Sequence, residues 1–180
     1  MTITPDTKNW TWVLQRPCPE CGFAAGAIAR EEVPTLLRAN AEAWRRYFAA
    51  AGDQDVRTRP EPTKWSPLEY ACHVRDCNKV YLRRVWLMLA EDDPQFPNWD
   101  QDTTAVEDEY NDQDPDKVFA ELVDTAEEVA ERFASLTAEQ WSRTGHRGDG
   151  SDFTVESLAR YFVHDPIHHL WDVTGTRYEA

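Results

Sequence analysis

The chain is 180 residues long, 41% hydrophobic and 29% charged. That length fits one domain with a full core, and the composition lies outside the disordered class. A formal net charge of -14, with no Lys/Arg run to offset it, sets nucleic-acid binding aside.

No stretch approaches the roughly 18 continuous apolar residues of a membrane span. The opening MTITPDTKNWTW lacks the basic start and apolar run of a secretory leader. A soluble, cytoplasmic protein is expected, with no nucleic acid or membrane as partner. Its four Cys are then thiols, metal ligands or redox groups, not structural disulfides. The eight Trp point to a large aromatic core or an aromatic-lined pocket.

Residues 1–30 read as irregular, with Pro5, Pro17 and Pro19 and a Cys-x-x-Cys turn, CPECG, at 18–22. The first helical pattern covers 31–52, with Pro34 in its first turn and Leu37, Ala41, Trp44 and Phe48 at helical spacing. A Pro-rich connection at 59–65 leads to the second pattern. There Ser66 is a good N-cap, Pro67 takes the first helical position and Glu69 completes a capping box. Tyr70, Val74, Tyr81, Val85 and Met88 form one face of a helix from Pro67 to about Ala90.

An acidic stretch over 91–113 shows little periodicity. Asp114 and Pro115 open the third helix, with Val118, Leu122, Ala126, Val129 and Phe133 as its stripe. TAEQWS at 137–142 predicts a short extra turn, and 143–153 a Gly-rich loop. The fourth helix covers 154–175 and stops at Gly175. Four long helical patterns without a convincing strand predict an all-α four-helix bundle over 31–175, within a single domain 1–180. Its connecting loops are longer than a minimal bundle needs and can gather around a site.

The histidines carry the chemistry. His164 and His168 lie four apart, so on a helix their Cβ atoms stack about 5–6 Å apart on one face. His73, inside the second helix, is the natural third ligand. Three imidazoles with an open position are the pattern of a catalytic metal site, and imidazole suits zinc, nickel, copper or iron. His169 turns about 100° from His168 on the helical wheel and is expected to bond to Asp165 or Asp172. Glu69, Asp76 and Asp172 are candidate carboxylate partners for the ligand rings. Pro166 removes a backbone N–H between the two ligands and predicts a bend there.

Two other constellations compete. Cys18 and Cys21 are half of a structural zinc site that Cys72 and Cys77 complete, or the four are small buried thiols. GHRGDG at 145–150 lacks the Lys-Ser/Thr and the preceding strand of a phosphate loop, though Arg143 and Arg147 there could meet an anionic substrate.

KWSPLEYACHV at 64–74, followed by HDPIHH at 164–169, resembles the DinB-like superfamily, which includes mycothiol-dependent and other thiol transferases. The matching residues are Trp65, Ser66, His73, His164 and His168, and the resemblance spans about 31–175. It implies a DinB-like bundle of up-down-down-up topology and a three-His divalent metal site, with zinc or nickel first, then iron or manganese. The chain departs from the pattern after the last ligand, where His169 and Leu170 follow. By the same resemblance the expected activity is a metal-dependent S-transfer from a small, mycothiol-like thiol to a small electrophile, in a protein able to form a homodimer. The rivals are a non-catalytic metal-binding bundle and a structural zinc protein held by its cysteines.

Overall fold

The structure, a computed structural model, describes residues 9–179. The reading of the first eight residues, and with it that of a leader, falls outside the described part. Seven helices follow in order: α1 (Val33–Ala50), α2 (Asp53–Arg57), α3 (Pro67–Ala90), α4 (Gln101–Glu107), α5 (Pro115–Ala134), α6 (Ala138–Trp141) and α7 (Val155–Thr174). The four long patterns of the sequence are α1, α3, α5 and α7.

Their ends follow local chemistry. Before α3, the Ser66 Oγ accepts from the Glu69 N–H at 3.2 Å, and the Glu69 carboxylate accepts from the Ser66 N–H at 2.8 Å, so two otherwise orphaned donors are satisfied. Asp114 caps α5 by accepting from Asp116 and Lys117. At the far end of α7, Gly175 takes φ +68, and its N–H donates to the Trp171 carbonyl at 2.7 Å. The predicted stripes of α3 and α5 are buried throughout; on α1, Leu37, Ala41 and Trp44 are buried and Phe48 only partly so.

The long helices form the predicted four-helix bundle. Both α1 and α3 pack chiefly on α5 and α7 and make hardly any contact with each other. α1 and α3 therefore lie diagonally across the bundle, as do α5 and α7, whereas α3 and α5 are neighbours; the two diagonal crossings require the long connections read from the sequence.

Those connections hold more structure than a loop. A three-stranded sheet joins β1 (Gln95–Phe96), β2 (Thr144–Arg147) and β3 (Asp152–Thr154). β1 runs parallel to β2, pairing Gln95 with His146, and β2 is antiparallel to β3, pairing Gly145 with Phe153. The all-α bundle stands, and the reading of 143–153 as a Gly-rich loop is corrected: that segment is a hairpin docked onto the 91–113 stretch. Strands of two to four residues are too short to show alternation in sequence. Gly145 is required where the sheet meets α3, since a Cβ there would lie 2.9 Å from Met88 Cγ.

The apolar core falls into two clusters. One joins the N-terminal segment, the later part of α3 and the first part of α7; the other joins the middle of α1 to the first halves of α3 and α5. Along α3 the change falls between Val74 and Cys77, and along α7 between Ile167 and Leu170. Polar side chains collect at this seam. Helix α7 passes Pro166 without interruption, and the Pro166 carbonyl accepts from Asn40 Nδ2 of α1 at 2.9 Å. Among the described residues no helix is long and apolar enough to cross a membrane.

Candidate metal centre

Two adjacent faces of α7 carry ligating side chains. On the first, His164 and His168 converge with ring centroids 5.1 Å apart. The structure gathers them with Cys18 and Cys21; one ligand atom from each of the four lies within 4.8 Å of every other, and all four residues are buried. Cys18 Sγ stands 3.6 Å from His168 Nδ1.

His73 belongs to a second cluster, with Cys77 and Asp165. Of the three ligands read from the sequence, His164 and His168 thus come together and His73 stands with other partners. The helical wheel supplies the reason. Asp165 and His169 also lie four apart, one position on, so their face is turned about 100° and it is this face that meets α3.

There, Asp165 Oδ1 lies 3.2 Å from His73 Nε2 and 3.7 Å from His169 Nε2. The His73 and His169 rings meet nearly at right angles, with centroids 4.7 Å apart. His169 Nδ1 is 3.0 Å from Asp172 Oδ2, the contact its spacing predicts. That bond turns its other nitrogen toward Asp165 and His73.

A cavity of about 790 Å³ opens above this face. Asp165 and His169 line it, together with Tyr70, Trp65 and Trp99, and His164 and His168 border it as well. Trp99 stacks on His73 with ring planes 3° apart, and Tyr70 covers His169 at 5.0 Å. The 98–102 stretch, the β2–β3 hairpin through Arg147 and Asp149, and Arg84 of α3 also line the cavity. Arg147 is held by Asp149 at 2.8 Å. Arg143, the other arginine singled out in the sequence, turns to the Met88 and Glu91 carbonyls instead.

The surroundings set the charge states. Burial alone would raise the Asp165 carboxyl, but the attraction of His73 and His169 outweighs it and holds the group below the usual carboxylate range. Burial, then His168, lowers His164 to about 4, so its ring is neutral at pH 7 and able to bind a metal without first losing a proton. Burial pushes the Cys21 thiol up to about 12 and raises Cys77 well above its ordinary value. His73 Nδ1 and His164 Nε2 are buried without a hydrogen-bond partner among the described residues, which is costly for a ring nitrogen unless something binds it.

The remaining candidates fall elsewhere. Cys72 packs against the Tyr110 carbonyl at 3.6 Å and Cys77 against the second cluster, so neither joins Cys18 and Cys21. Glu69 is engaged by Arg59 and the helix cap, and Asp76 by Arg75 and the Tyr110 hydroxyl; neither bonds to His73. Asp165 and His169 were not read from the sequence as ligands. Their signal was present in the same six residues, as an Asp-x-x-x-His overlapping the His-x-x-x-His.

A family model described as the DinB superfamily matches residues 36–173. Among curated protein sequences, none matches the chain. One solved structure is similar, with a TM-score of 0.63 at 21% identity, covering 97% of this chain and 91% of the other: YfiT from Bacillus subtilis, described as a "probable metal-dependent hydrolase with an unusual four-helix bundle topology".

Proposed function

This chain belongs to the DinB superfamily, and on that footing we propose that it is a divalent-metal-dependent enzyme whose centre is His73, Asp165 and His169. One observation carries the reading. A single carboxylate oxygen lies within 3.2 and 3.7 Å of two imidazole nitrogens, where the cavity opens. Two imidazoles and a carboxylate, open on one side, are a donor set for zinc, nickel, iron or manganese in a catalytic role. His73 is not gathered with His164 and His168, whereas Asp165 contacts both His73 and His169.

The reaction proposed is conjugation of a small, mycothiol-like thiol, through its sulfur, to a small electrophile. A bound divalent ion supplies Lewis acidity, lowering the pKa of a thiol or water that reaches it. The chain's own residues do the rest. Asp172 fixes the His169 ring. Trp65 and Trp99 keep water from one side of His73. Arg84 and Arg147 give an anionic group on either substrate a place to bind in an otherwise acidic protein. In the transfer, the thiolate sulfur forms a bond to the electrophilic carbon, the leaving group departs with the bonding pair, and the thiol proton passes to solvent.

A cavity of about 790 Å³ lies within the range of small-molecule sites and admits both substrates. A hydrolase is the second reading, favoured by the carboxylate in the donor set, which hydrolytic zinc sites share, and by the likeness to YfiT. A homodimer is the proposed assembly.

The test is an assay of metal-loaded protein with a panel of thiols and alkylating electrophiles, beside ester and amide substrates without thiol. Conjugation that needs both thiol and metal supports S-transfer. Turnover without thiol selects the hydrolase. No turnover, with metal bound at His73, leaves a non-catalytic metal protein.

A further inference from the structure

We propose that Cys18, Cys21, His164 and His168 hold a structural zinc ion, in a closed site distinct from the centre at His73. Four residues of two distant segments bring one ligand atom each within 4.8 Å of all the others. In a tetrahedron with Zn–S of about 2.3 Å and Zn–N of about 2.0–2.1 Å, the S···N edge is about 3.6 Å. The Cys18 Sγ to His168 Nδ1 distance is 3.6 Å, so that edge has the length a zinc ion requires.

Local structure prepares the site. Gly22 N–H donates to the Cys18 carbonyl, and Cys18 N–H to the Phe23 carbonyl, both at 2.9 Å. Gly22 takes φ +84, a conformation any side chain would strain. The chain therefore reverses immediately after Cys21 and leaves both thiols on the α7 side. The spacings, Cys-x-x-Cys and His-x-x-x-His, are those of Cys2His2 zinc sites.

A second, independent observation points to a ligand. His164 Nε2 is buried without a partner among the described residues, and an unsatisfied buried nitrogen calls for an ion or water. His168 already has what an outer carboxylate would provide: its Nε2 lies 3.6 Å from Glu20 Oε2 and 3.8 Å from Asp172 Oδ2.

Although His164 and His168 also border the cavity, four protein ligands fill a tetrahedron and leave no open position, which assigns the site to structure and not to catalysis. Cys18 and Cys21 are 1% and 0% exposed, His164 and His168 4% and 7%. Trp10 covers both imidazoles, with centroids at 5.5 and 5.1 Å. The ion would pin the segment from Trp10 to Phe23 onto the turn of α7 that also carries Asp165 and His169. Because Trp10 and Glu20 line the cavity, the same ion would fix one of its walls.

The test uses the full chain purified under reducing conditions, stripped with a chelator and titrated with cobalt(II) alone. About one molar equivalent should bind with the thiolate-to-cobalt charge-transfer absorption and strong visible bands of a tetrahedral sulfur-ligated ion, and zinc should displace it. The signal should persist in His73→Ala and vanish in Cys21→Ser and in His164→Ala. Far-ultraviolet dichroism shows whether each variant is folded, and the wild-type spectrum stands whatever the variants do. Cobalt bound without a thiolate band, a band lost in His73→Ala, or a Cys18–Cys21 disulfide in the reduced protein overturns the proposal. Absence of turnover in the thiol assay with the thiolate band intact would count against the enzyme reading alone.

Discussion

Helix α7 presents two ligand pairs, one residue apart, to two different surroundings. His164 and His168 face Cys18 and Cys21 among sulfur and aromatic carbon, nearly buried at the edge of the cavity. Asp165 and His169 face His73, and this side opens to the cavity, with the Asp165 side chain 30% exposed. The same helical spacing thus yields a soft, closed donor set on one face and a harder, open one on the next. Spacing decides which pairs can converge; what the pairs converge with decides whether the outcome is scaffold or chemistry.

The largest expected effect breaks the closed face. Cys21→Ser removes one thiol ligand, and loss of a structural metal site costs about 4 kcal/mol. For a domain of this size that lowers the midpoint of thermal unfolding by about 10 °C, measured by calorimetry with zinc present; an unchanged midpoint would show that packing alone holds the N-terminal segment. His73→Ala breaks the open face instead. Metal-dependent turnover should fall about 100-fold or more, a loss in the range of removing one key electrostatic group from an active site, while the cobalt–thiolate spectrum stays. If both properties fall together, the two faces are one site.

A finer cut separates ligand from orienting group. Asp172→Asn leaves His169 in place but weakens the bond to its Nδ1, and should reduce metal affinity at the open face by about 10–100-fold. Affinity measured by competition with a chelator in His164→Ala, which silences the closed face, isolates the effect.

The smallest expected effect lies on the cavity rim. The Asp149 carboxyl is lowered to about 2, first by its bond to Arg147. A carboxylate with a depressed folded pKa stabilises the fold fully above its unfolded value, and that contribution is lost as pH falls toward 2. Asp149→Asn should therefore flatten the acid limb of the stability curve below about pH 4, by less than about 1 kcal/mol for so exposed a pair. Acid titration followed by dichroism reads it.

Much of the bundle was legible in the sequence. The cap at Ser66, the opening at Asp114 and Pro115 and the stop at Gly175 act through the few residues beside them, and the stripes of α3 and α5 repeat over several turns. The sheet was hidden, because β1 pairs with β2 across some 50 residues of chain and each strand is too short for its own period to show. The site was half legible. His164 and His168 had to share a face wherever the helix went. The residues that meet the two faces of α7 lie about 145 and 90 residues upstream, at Cys21 and His73, counted in the sequence, and no local pattern says which of the two reaches which face.

Helix boundaries, the buried stripes and the two i, i+4 pairs of α7 follow from the sequence alone, because backbone geometry fixes them within a turn or two. The division of those pairs between Cys18–Cys21 and His73 was decided only by the tertiary structure. It depends on the N-terminal segment lying against one side of α7 and α3 against the other, and such placement comes from packing two apolar clusters around a polar seam, not from any residue's neighbours in the chain.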